Sequence, residues 1–488
     1  MVSSLSSTVI NAVAGLIVVR FVAVEEYGQI AYFLGLLGLL RFMSNLGMGA
    51  KAIQEVSRAD REEGQGGIKR VFYNLGLLRI GSSVIVLAAC LLIGILTDDP
   101  VVIWAGIAAF GATSMDYASA VIQGLRQKMT AAGLIFLQPA VFMALIFFLI
   151  ITQSVNPTTV FLAYTISFSL TTLVGLLPVI KRVGRFLWSG VSLHYLRSMM
   201  LPLLSLFLFG LVSRLSGSAT MITLGQLELF EIAAFFGAAF SIIGMIGPFG
   251  TNIVTAVFFP DFVRFRADGG RREMANWLAR ITRVLTMFLA LPVAGGIVYA
   301  DLIFGILYPS EYVAAVVALQ VLSVGILLNS LQQLFNYTMI GEARTPVATI
   351  ITGVQLIFLL ISIVIVLFAA PSDVPAYLAL GYVVVKSLGI SAEWWYIQRF
   401  RLRFSLSVVF IPLVIVIAVL LMALGRTLTE SLGITLPLVV ILFGSVATAI
   451  MYILVLYAFV FQDAERRQTQ SLLTDILARH MPWRRIDP

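Results

Sequence analysis

Long apolar stretches alternate with short polar or charged segments along the whole chain. Most stretches hold about 20 residues, the length at which an α-helix crosses a hydrocarbon core of ~30 Å. The pattern therefore predicts an all-α polytopic membrane protein with about 14 transmembrane helices. No connecting segment is long enough to form a soluble catalytic domain. The predicted spans are residues 5–24, 27–50, 72–96, 100–123, 130–152, 158–180, 199–222, 230–259, 280–305, 311–340, 346–370, 374–398, 405–424 and 434–461.

The composition supports this interpretation and narrows the chemistry. The 488 residues are 60% hydrophobic and 11% charged, whereas soluble domains carry about 25% charged residues. Cys90 is the single cysteine, which excludes an intrachain disulfide and a cysteine metal site. The two histidines, His194 and His480, lie far apart in the sequence. The sequence thus predicts neither a metal site nor a cofactor.

Basic residues are concentrated on alternate connections. The predicted spans place 26 of the 32 Lys and Arg residues on one side, Arg20 and Arg426 on the other, and four within spans. The opposite connections are acidic or neutral, as in "VEEYG", "TDDP" and "YPSEY". By the positive-inside rule, both termini are predicted to be cytoplasmic. The net charge of +8 then reflects topology beside an anionic leaflet, and no nucleic-acid partner is predicted.

A weak internal repeat divides the chain into two halves. An offset of 203 residues aligns an outer acidic turn, an aromatic-rich span, a late glycine and a basic loop in each half. Because six spans separate the copies, both halves start on the same side, which predicts a parallel repeat. The predicted units are an N-terminal six-helix lobe (1–190), a C-terminal six-helix lobe (191–400), two extra helices (401–461) and a cytoplasmic tail (462–488). The matched pairs include Glu25 and Glu228, Ala31 and Ala234, Phe33 and Phe236, and Gly47 and Gly250.

Two matched spans carry polar stripes inside the predicted membrane region. One helical face of the tenth span carries four amides, Asn329, Gln332, Gln333 and Asn336. An offset of 217 residues relates this face to a polar face of the fourth span, which carries Asp116, Ser119 and Gln123. Two interpretations remain open: hydrogen bonds between packed helices, at about 0.6 kcal/mol each, or the lining of a water-filled cavity.

Three cations lie too deep in the predicted spans to reach either interface. Arg41, Arg214 and Lys386 each occupy a position where a charge costs roughly 2.5–3.5 kcal/mol on insertion scales. Asp116 and Glu393 are the obvious internal acids, and each can act as a salt-bridge partner or as an ion site. Because two acids do not neutralise three cations, the surplus charge favours an anionic substrate group in a central cavity.

Further residues belong to the predicted cavity or its gate. Asn45 shares a helical face with Arg41 and is predicted to line the same cavity. Arg79 lies near the cytoplasmic end of its span, so its side chain is predicted to snorkel to the interface. Gly47 and Gly250, at the ends of matched spans, are predicted to permit close approach of helices at a gate.

At these residues the chain resembles a known family. The segment "FVAVEEYGQIAYFLGLLGLLRFMSNLGMGAKAIQEVSR" is similar to the opening of polysaccharide and O-antigen flippases, in which an outer "xEYG" turn precedes an apolar span. Residues 258–325 are similar to the start of their second half, and "NYTMIGEARTP" resembles its next turn. The resemblance covers roughly residues 1–400. One departure is Glu231, which stands where the first half has Gly28.

The resemblance implies two six-helix lobes, alternating access and membership of the multidrug/oligosaccharidyl-lipid/polysaccharide exporter superfamily. It implies a flippase that moves a polyprenyl phosphate- or pyrophosphate-linked oligosaccharide from the inner to the outer leaflet of a prokaryotic plasma membrane, for surface glycan assembly. Arg41, Arg214 and Lys386 fit a cationic cavity for the substrate phosphate. Membrane lipids and glycan assembly enzymes are the expected partners, and a monomer is expected.

Three alternatives remain open. A drug/cation antiporter of the same superfamily would need net acidic groups in its cavity, and a lipid II flippase would differ only in cargo. A membrane glycosyltransferase, polymerase or ligase would need a metal-binding acidic motif or a large outer loop with a base. The sequence contains no such motif, and its predicted outer loops are short. We therefore expect no enzymatic activity.

Overall fold

The structure, a computed structural model, describes residues 2–46, 48–183, 191–253, 271–342, 344–369, 373–400, 410–432 and 436–455. Within these ranges the secondary structure is helical and contains no strand. A short 3-10 helix, Ser310–Ala314, precedes α12. The α-helices are α1 (Val2–Val18), α2 (Val24–Asn45), α3 (Met48–Glu62), α4 (Gly64–Leu96), α5 (Pro100–Gly124), α6 (Lys128–Ile151), α7 (Pro157–Val183), α8 (Leu193–Gln226), α9 (Phe230–Ile253), α10 (Arg271–Val298), α11 (Ala300–Leu307), α12 (Ala315–Gly341), α13 (Thr345–Ala369), α14 (Val374–Phe400), α15 (Phe410–Ser431) and α16 (Pro437–Val455).

The helices agree with the predicted spans. In the described part of the chain, 11 helices are long and apolar enough to cross a bilayer. The helices α1 and α16 hold shorter apolar stretches, Ser6–Val18 and Pro437–Ile453. The helix α2 has the length of a span but carries Glu25, Glu26 and Arg41. With these three helices included, the prediction of about 14 transmembrane helices is confirmed.

The second span ends earlier than its apolar pattern predicts. The helix α2 ends at Asn45, where Leu46 takes a left-handed conformation with φ of 49°, and α3 follows as a separate helix. The many charges of α3 predict a loop outside the membrane. However, Ala52, Val56 and Ala59 recur at helical spacing and are buried in a core shared with α4 and α5. This amphipathic pattern explains why the segment is a packed helix.

Helix packing repeats between the two halves. In the first half, α1 packs on α6, α2 and α4 pack on α5, and α7 packs on α5 and α6. In the second half, α8 packs on α13, α9 and α10 pack on α12, and α14 packs on α12 and α13. The same contacts therefore recur in the same order, as expected of two parallel six-helix lobes. The helices α15 and α16 pack on each other, and α15 packs on α10. The residue boundaries of these units stay predictions.

The two lobes meet through α2, which packs on both α8 and α9. We call the end with the Glu25 and Glu228 turns the acidic end, and the end with the basic connections the basic end. At the acidic end, Gly28 lies so close to the backbone of Phe230 that a side chain there would overlap the Phe230 carbonyl. Close approach without a Cβ is a property of glycine. The acidic end of the lobe interface is therefore closed.

The predicted gate glycines have different outcomes. Gly250 contacts Ser330 on α12 and Leu289 on α10, so its close approach joins helices of one lobe. Gly47 lies outside the described residues, as does the predicted tail, 462–488.

Candidate functional site

An ion pair joins α2 to α5 inside the first lobe. The Arg41 guanidinium donates from Nε to Asp116 Oδ2 at 2.8 Å and from Nη2 to Asp116 Oδ1 at 2.6 Å. This bidentate geometry is among the strong charge-assisted arrangements. The guanidinium also lies 5.5 Å from the centre of the Phe168 ring on α7. The Arg41 side chain is 36% exposed, so the pair remains accessible.

Arg79 on α4 approaches the same carboxylate. Its Nη2 lies 4.0 Å from Asp116 Oδ2, and its guanidinium lies 5.6 Å from the centre of the Tyr117 ring. The side chain is only 2% exposed, so the predicted snorkelling to the interface is wrong. The inward orientation has a physical reason, because a carboxylate and an aromatic face both attract the guanidinium in a poorly solvated interior.

Arg214 on α8 brings a third cation to this region. Protein atoms surround it on most sides, yet its side chain is exposed, so it lines an accessible space inside the molecule. It interacts electrostatically with Arg41 and Asp116 across the lobe interface. Among the described residues, no carboxylate lies within salt-bridge distance of Arg214. We call Arg41, Arg79, Arg214 and Asp116 the Asp116 cluster; it places three cations around one carboxylate.

A second polar group lies inside the other lobe. Lys386 Nζ on α14 donates to Gln332 Oε1 on α12 at 2.7 Å. Gln332 Nε2 donates to Gln355 Oε1 on α13 at 2.6 Å and to Glu393 Oε1 on α14 at 3.3 Å. We call these four residues the Lys386 cluster. It contains one cation and one carboxylate, which a bridging amide connects.

The Lys386 cluster is more deeply enclosed than the Asp116 cluster. Lys386 is 8% exposed and Glu393 is 0% exposed. Over the described ranges, no hydrogen bond, ion pair or electrostatic interaction links Lys386 to Arg41 or Arg214. The structure therefore brings Arg41 and Arg214 together and places Lys386 in a separate site.

The other amides of the predicted stripe make different contacts. Asn329 Oδ1 accepts a hydrogen bond from the Tyr382 hydroxyl at 3.0 Å, which joins α12 to α14. Gln333 Nε2 donates to the Tyr337 hydroxyl at 3.1 Å within α12. For Gln332 and Asn329, these contacts follow the interpretation of hydrogen bonds between packed helices.

Two predicted polar atoms have no partner in the described part of the chain. They are the buried Oδ1 atoms of Asn45 and Asn336. A buried polar atom without a hydrogen bond is costly, by about 1–3 kcal/mol. Both atoms are therefore available to a bound polar group.

Sequence analysis missed three contributors to these sites. Gln355 is an amide within an otherwise apolar span, which is itself a signal of an internal polar contact. Tyr382 lies one helical turn before Lys386, and the Lys386 Nζ lies 5.7 Å from the centre of its ring. Tyr117 directly follows Asp116 and contacts Arg79. Their residue spacing was visible, but the identity of the facing helix was not.

A cavity of about 340 Å³ lies between the lobes, toward the acidic end. The helices α1, α2, α7 and α9 contribute its walls. Its polar lining includes Asn11, Tyr27, Tyr164, Ser241 and Tyr308. The Tyr308 and Ser241 hydroxyls lie 2.8 Å apart. The cavity thus offers hydroxyl groups and aromatic rings without a formal charge in its lining.

The described residues contain no group of three or more His, Cys, Asp or Glu side chains that could hold a metal ion. The chemistry available at the two clusters is therefore that of guanidinium, ammonium, carboxylate and amide groups. These groups bind and position charged ligands, and Asp116 and Glu393 are the acids that could hold a proton or a cation.

The profile of a family described as Polysaccharide biosynthesis protein matches residues 1–266, which is more than half of the chain. No curated protein matches it. The solved structure "Lipid II flippase MurJ, inward closed conformation" aligns with a TM-score of 0.72 at 12% identity, covering 94% of this chain and 98% of that chain.

Two solved multidrug transporters are also similar. An inward-facing MATE family transporter of the MOP superfamily aligns with a TM-score of 0.61 at 15% identity, covering 80% of this chain and 94% of that chain. The MATE multidrug transporter DinF-BH gives 0.61 at 15% identity, with 83% and 95% covered. At these identities the likeness shows the fold alone. The chain belongs to the polysaccharide biosynthesis protein family and has the membrane-transporter fold shared by MurJ and the MATE proteins.

Proposed function

We propose that this protein is a flippase that moves a polyprenyl phosphate- or pyrophosphate-linked oligosaccharide across a prokaryotic plasma membrane by alternating access. The observation that carries the proposal is the surplus positive charge of the Asp116 cluster, three cations around one carboxylate. An internal surplus of this kind is costly unless an anion joins it. Family membership and the shared fold support a transported, lipid-linked glycan as that anion.

In this proposal, Arg41 and Arg214 bind the substrate phosphate from the two sides of the lobe interface. Both side chains are accessible, and Arg214 has no carboxylate partner among the described residues. A guanidinium suits phosphate because its planar fork donates two hydrogen bonds at once. Asp116 holds the Arg41 fork in position until the phosphate arrives. The acids Asp116 and Glu393 remain the candidates for a coupling ion or proton.

The sugar portion is proposed to occupy the cavity between the lobes. Tyrosine rings and hydroxyl groups line it, and such groups combine an apolar face with hydrogen-bonding capacity. Because the acidic end is closed at Gly28 and Phe230, the substrate would enter from the basic end. We place the basic end and both termini in the cytoplasm, since 26 of the 32 Lys and Arg residues lie there.

Lys386, Asn45 and the four amides of α12 are proposed as a second contact surface. Lys386 and Gln332 are buried in this conformation. They would reach substrate only after the second lobe rearranges. We therefore assign the first capture of phosphate to Arg41 and Arg214. A monomer suffices for this scheme, and glycan assembly enzymes are its expected partners in the membrane.

Gene deletion tests the proposal most simply. Loss of the protein should cause lipid-linked oligosaccharide to accumulate on the cytoplasmic face, while its synthesis continues. Proteoliposomes carrying the purified chain should move the same lipid to the opposite leaflet. Movement of lipid II instead would identify a lipid II flippase. Efflux of a cationic drug without lipid movement would identify an antiporter, although the positive surplus of the Asp116 cluster opposes cationic cargo.

A further inference from the structure

A second cavity lies inside the first lobe, between α4, α5 and α7. Its volume is about 400 Å³, and its walls are mostly apolar, including Leu77, Ile80 and Leu176. Ile80 is 57% exposed on the outer surface of the helix bundle, so the cavity reaches the surface that faces lipid. Neither Arg41 nor Arg214 lines it. We call this space the α4–α7 groove.

Arg79 is the charged residue in the lining of the groove. Its Nε, Nη1 and Nη2 atoms are buried and have no hydrogen-bond partner among the described residues. The nearest carboxylate, Asp116, lies 4.0 Å away and already accepts two hydrogen bonds from Arg41. A buried guanidinium with unsatisfied N–H groups is an unfavourable arrangement that an additional acceptor would relieve.

The depth of Arg79 indicates where such an acceptor would come from. The helix α4 has 33 residues, about 50 Å at 1.5 Å per residue, which exceeds the ~30 Å hydrocarbon core. Counted from its acidic end at Leu96, Arg79 lies about 25 Å along the helix. Arg79 is therefore within roughly 5 Å of the opposite hydrocarbon boundary. This is the level of the lipid headgroups on the basic side.

We propose that the α4–α7 groove binds an anionic phospholipid from the leaflet on the basic side. The lipid phosphate accepts hydrogen bonds from Arg79, and one acyl chain lies along Leu77, Ile80 and Leu176. Charge complementarity selects an anion, and the apolar walls select one that carries a hydrocarbon chain. The site goes beyond the proposed flippase activity, because it lies outside the lobe interface and holds its lipid without moving it.

Lipid-dependent thermal unfolding of the purified full chain tests this site. Phosphatidylglycerol should raise the unfolding midpoint of the wild-type protein more than phosphatidylcholine does, because a ligand that binds the folded state stabilises it. The difference between the two lipids should disappear in Arg79→Gln and in Leu176→Trp, which fills the groove. Arg426→Gln, near the acidic end, is the matched control and should keep the difference. Equal effects of the two lipids on wild type, or an unchanged difference in both groove variants, would overturn the proposal.

A second measurement does not depend on the stability of Arg79→Gln. Tryptophan at position 80 (Ile80→Trp) should be quenched more by brominated phosphatidylglycerol than by brominated phosphatidylcholine, relative to wild type. Adding Leu176→Trp or Arg79→Gln should remove the preference. Inorganic phosphate alone should neither stabilise the protein nor displace the brominated lipid. Stabilisation by inorganic phosphate, or displacement by polyprenyl phosphate but not by unlabelled phosphatidylglycerol, would reject a phospholipid as the occupant.

Discussion

The Asp116 cluster and the Lys386 cluster occupy related places in the two lobes and differ in charge balance. The first places three cations around one carboxylate at the lobe interface, with Arg41 36% exposed. The second balances Lys386 against Glu393 through Gln332, with Lys386 8% exposed. Similar helix packing thus supports two kinds of site. The unbalanced, accessible cluster is suited to bind an anion, whereas the balanced, enclosed cluster is suited to hold α12, α13 and α14 together.

Neutralising Arg214 should have the largest effect on transport. Because Arg214 has no carboxylate partner in the described structure, Arg214→Gln removes a cation without leaving an acid unpaired. We expect flipping of lipid-linked oligosaccharide in proteoliposomes to fall at least about tenfold, a change of ~1.4 kcal/mol. Expression and thermal stability should stay near wild type. Arg214→Lys should retain part of the activity. Full activity of Arg214→Gln would remove Arg214 from the proposed phosphate site.

Neutralising Lys386 should act mainly on stability. Lys386→Gln leaves Glu393 buried without its cation, and breaking a buried pair costs about 3–5 kcal/mol. The double variant Lys386→Gln with Glu393→Gln should recover most of the loss, because no unpaired charge remains. Thermal unfolding of the purified variants measures both effects. A stable single variant that loses transport would instead show that the Lys386 cluster is a substrate site like the Asp116 cluster.

Tyr382→Phe should produce a smaller change within the Lys386 cluster. The substitution removes the hydroxyl that donates to Asn329 Oδ1, and a hydrogen bond of this kind contributes about 1 kcal/mol. It keeps the aromatic ring beside Lys386. The unfolding midpoint should therefore fall slightly and transport should change less than twofold. A loss of transport comparable to that of Arg214→Gln would contradict a structural role for this contact.

The exposed Arg426–Asp301 pair provides the smallest effect and a reference for both clusters. Asp301 follows the α10 span, which ends at Val298, and is 49% exposed. Arg426 Nη1 and Nη2 each lie 2.8 Å from an Asp301 oxygen. Burial alone would raise the Asp301 pKa, but the Arg426 hydrogen bonds and charge hold it below its ordinary value. The pair therefore stabilises the fold above the ordinary Asp pKa, and this contribution is lost as the pH falls through the lowered pKa.

Exposed pairs contribute at most about 1 kcal/mol, so the acid-induced change should be small. Asp301→Asn should remove that part of the pH dependence of the unfolding midpoint and leave transport unchanged. Unfolding curves of wild type and variant at neutral and acid pH provide the comparison. Identical pH dependence in the two proteins would show that the pair does not contribute.

Much of the fold follows from one-dimensional patterns. Apolar length predicted the spans, and the order of turns and charges predicted two related halves. The end of α2 at Asn45 was not predicted, because Leu46 takes a left-handed conformation that the apolar pattern does not indicate. The amphipathic α3 was also missed, because its charges were more prominent than the spacing of Ala52, Val56 and Ala59.

The candidate site was only partly predictable for a related reason. Helical spacing assigns Arg41 and Asp116 to faces, but it does not state which helices meet. Arg79 illustrates this limit: its depth near an interface predicted snorkelling, whereas packing of α4 on α5 places it beside Asp116. Likewise, the sequence grouped Lys386 with the other cations, and the fold assigns it to a separate lobe.

Flipping by the Arg41→Gln, Asp116→Asn double variant tests the central claim most directly. If Arg41 binds substrate phosphate, Arg41→Gln loses transport, Arg41→Lys keeps part of it, and adding Asp116→Asn does not restore it. Arg79 lies near Asp116 in the single variant, so the carboxylate is not left without a cation. Proteoliposome flipping is compared among variants whose unfolding midpoints match wild type. The account predicts that the double variant remains inactive; recovery of wild-type flipping would show that Arg41 serves only as the partner of Asp116.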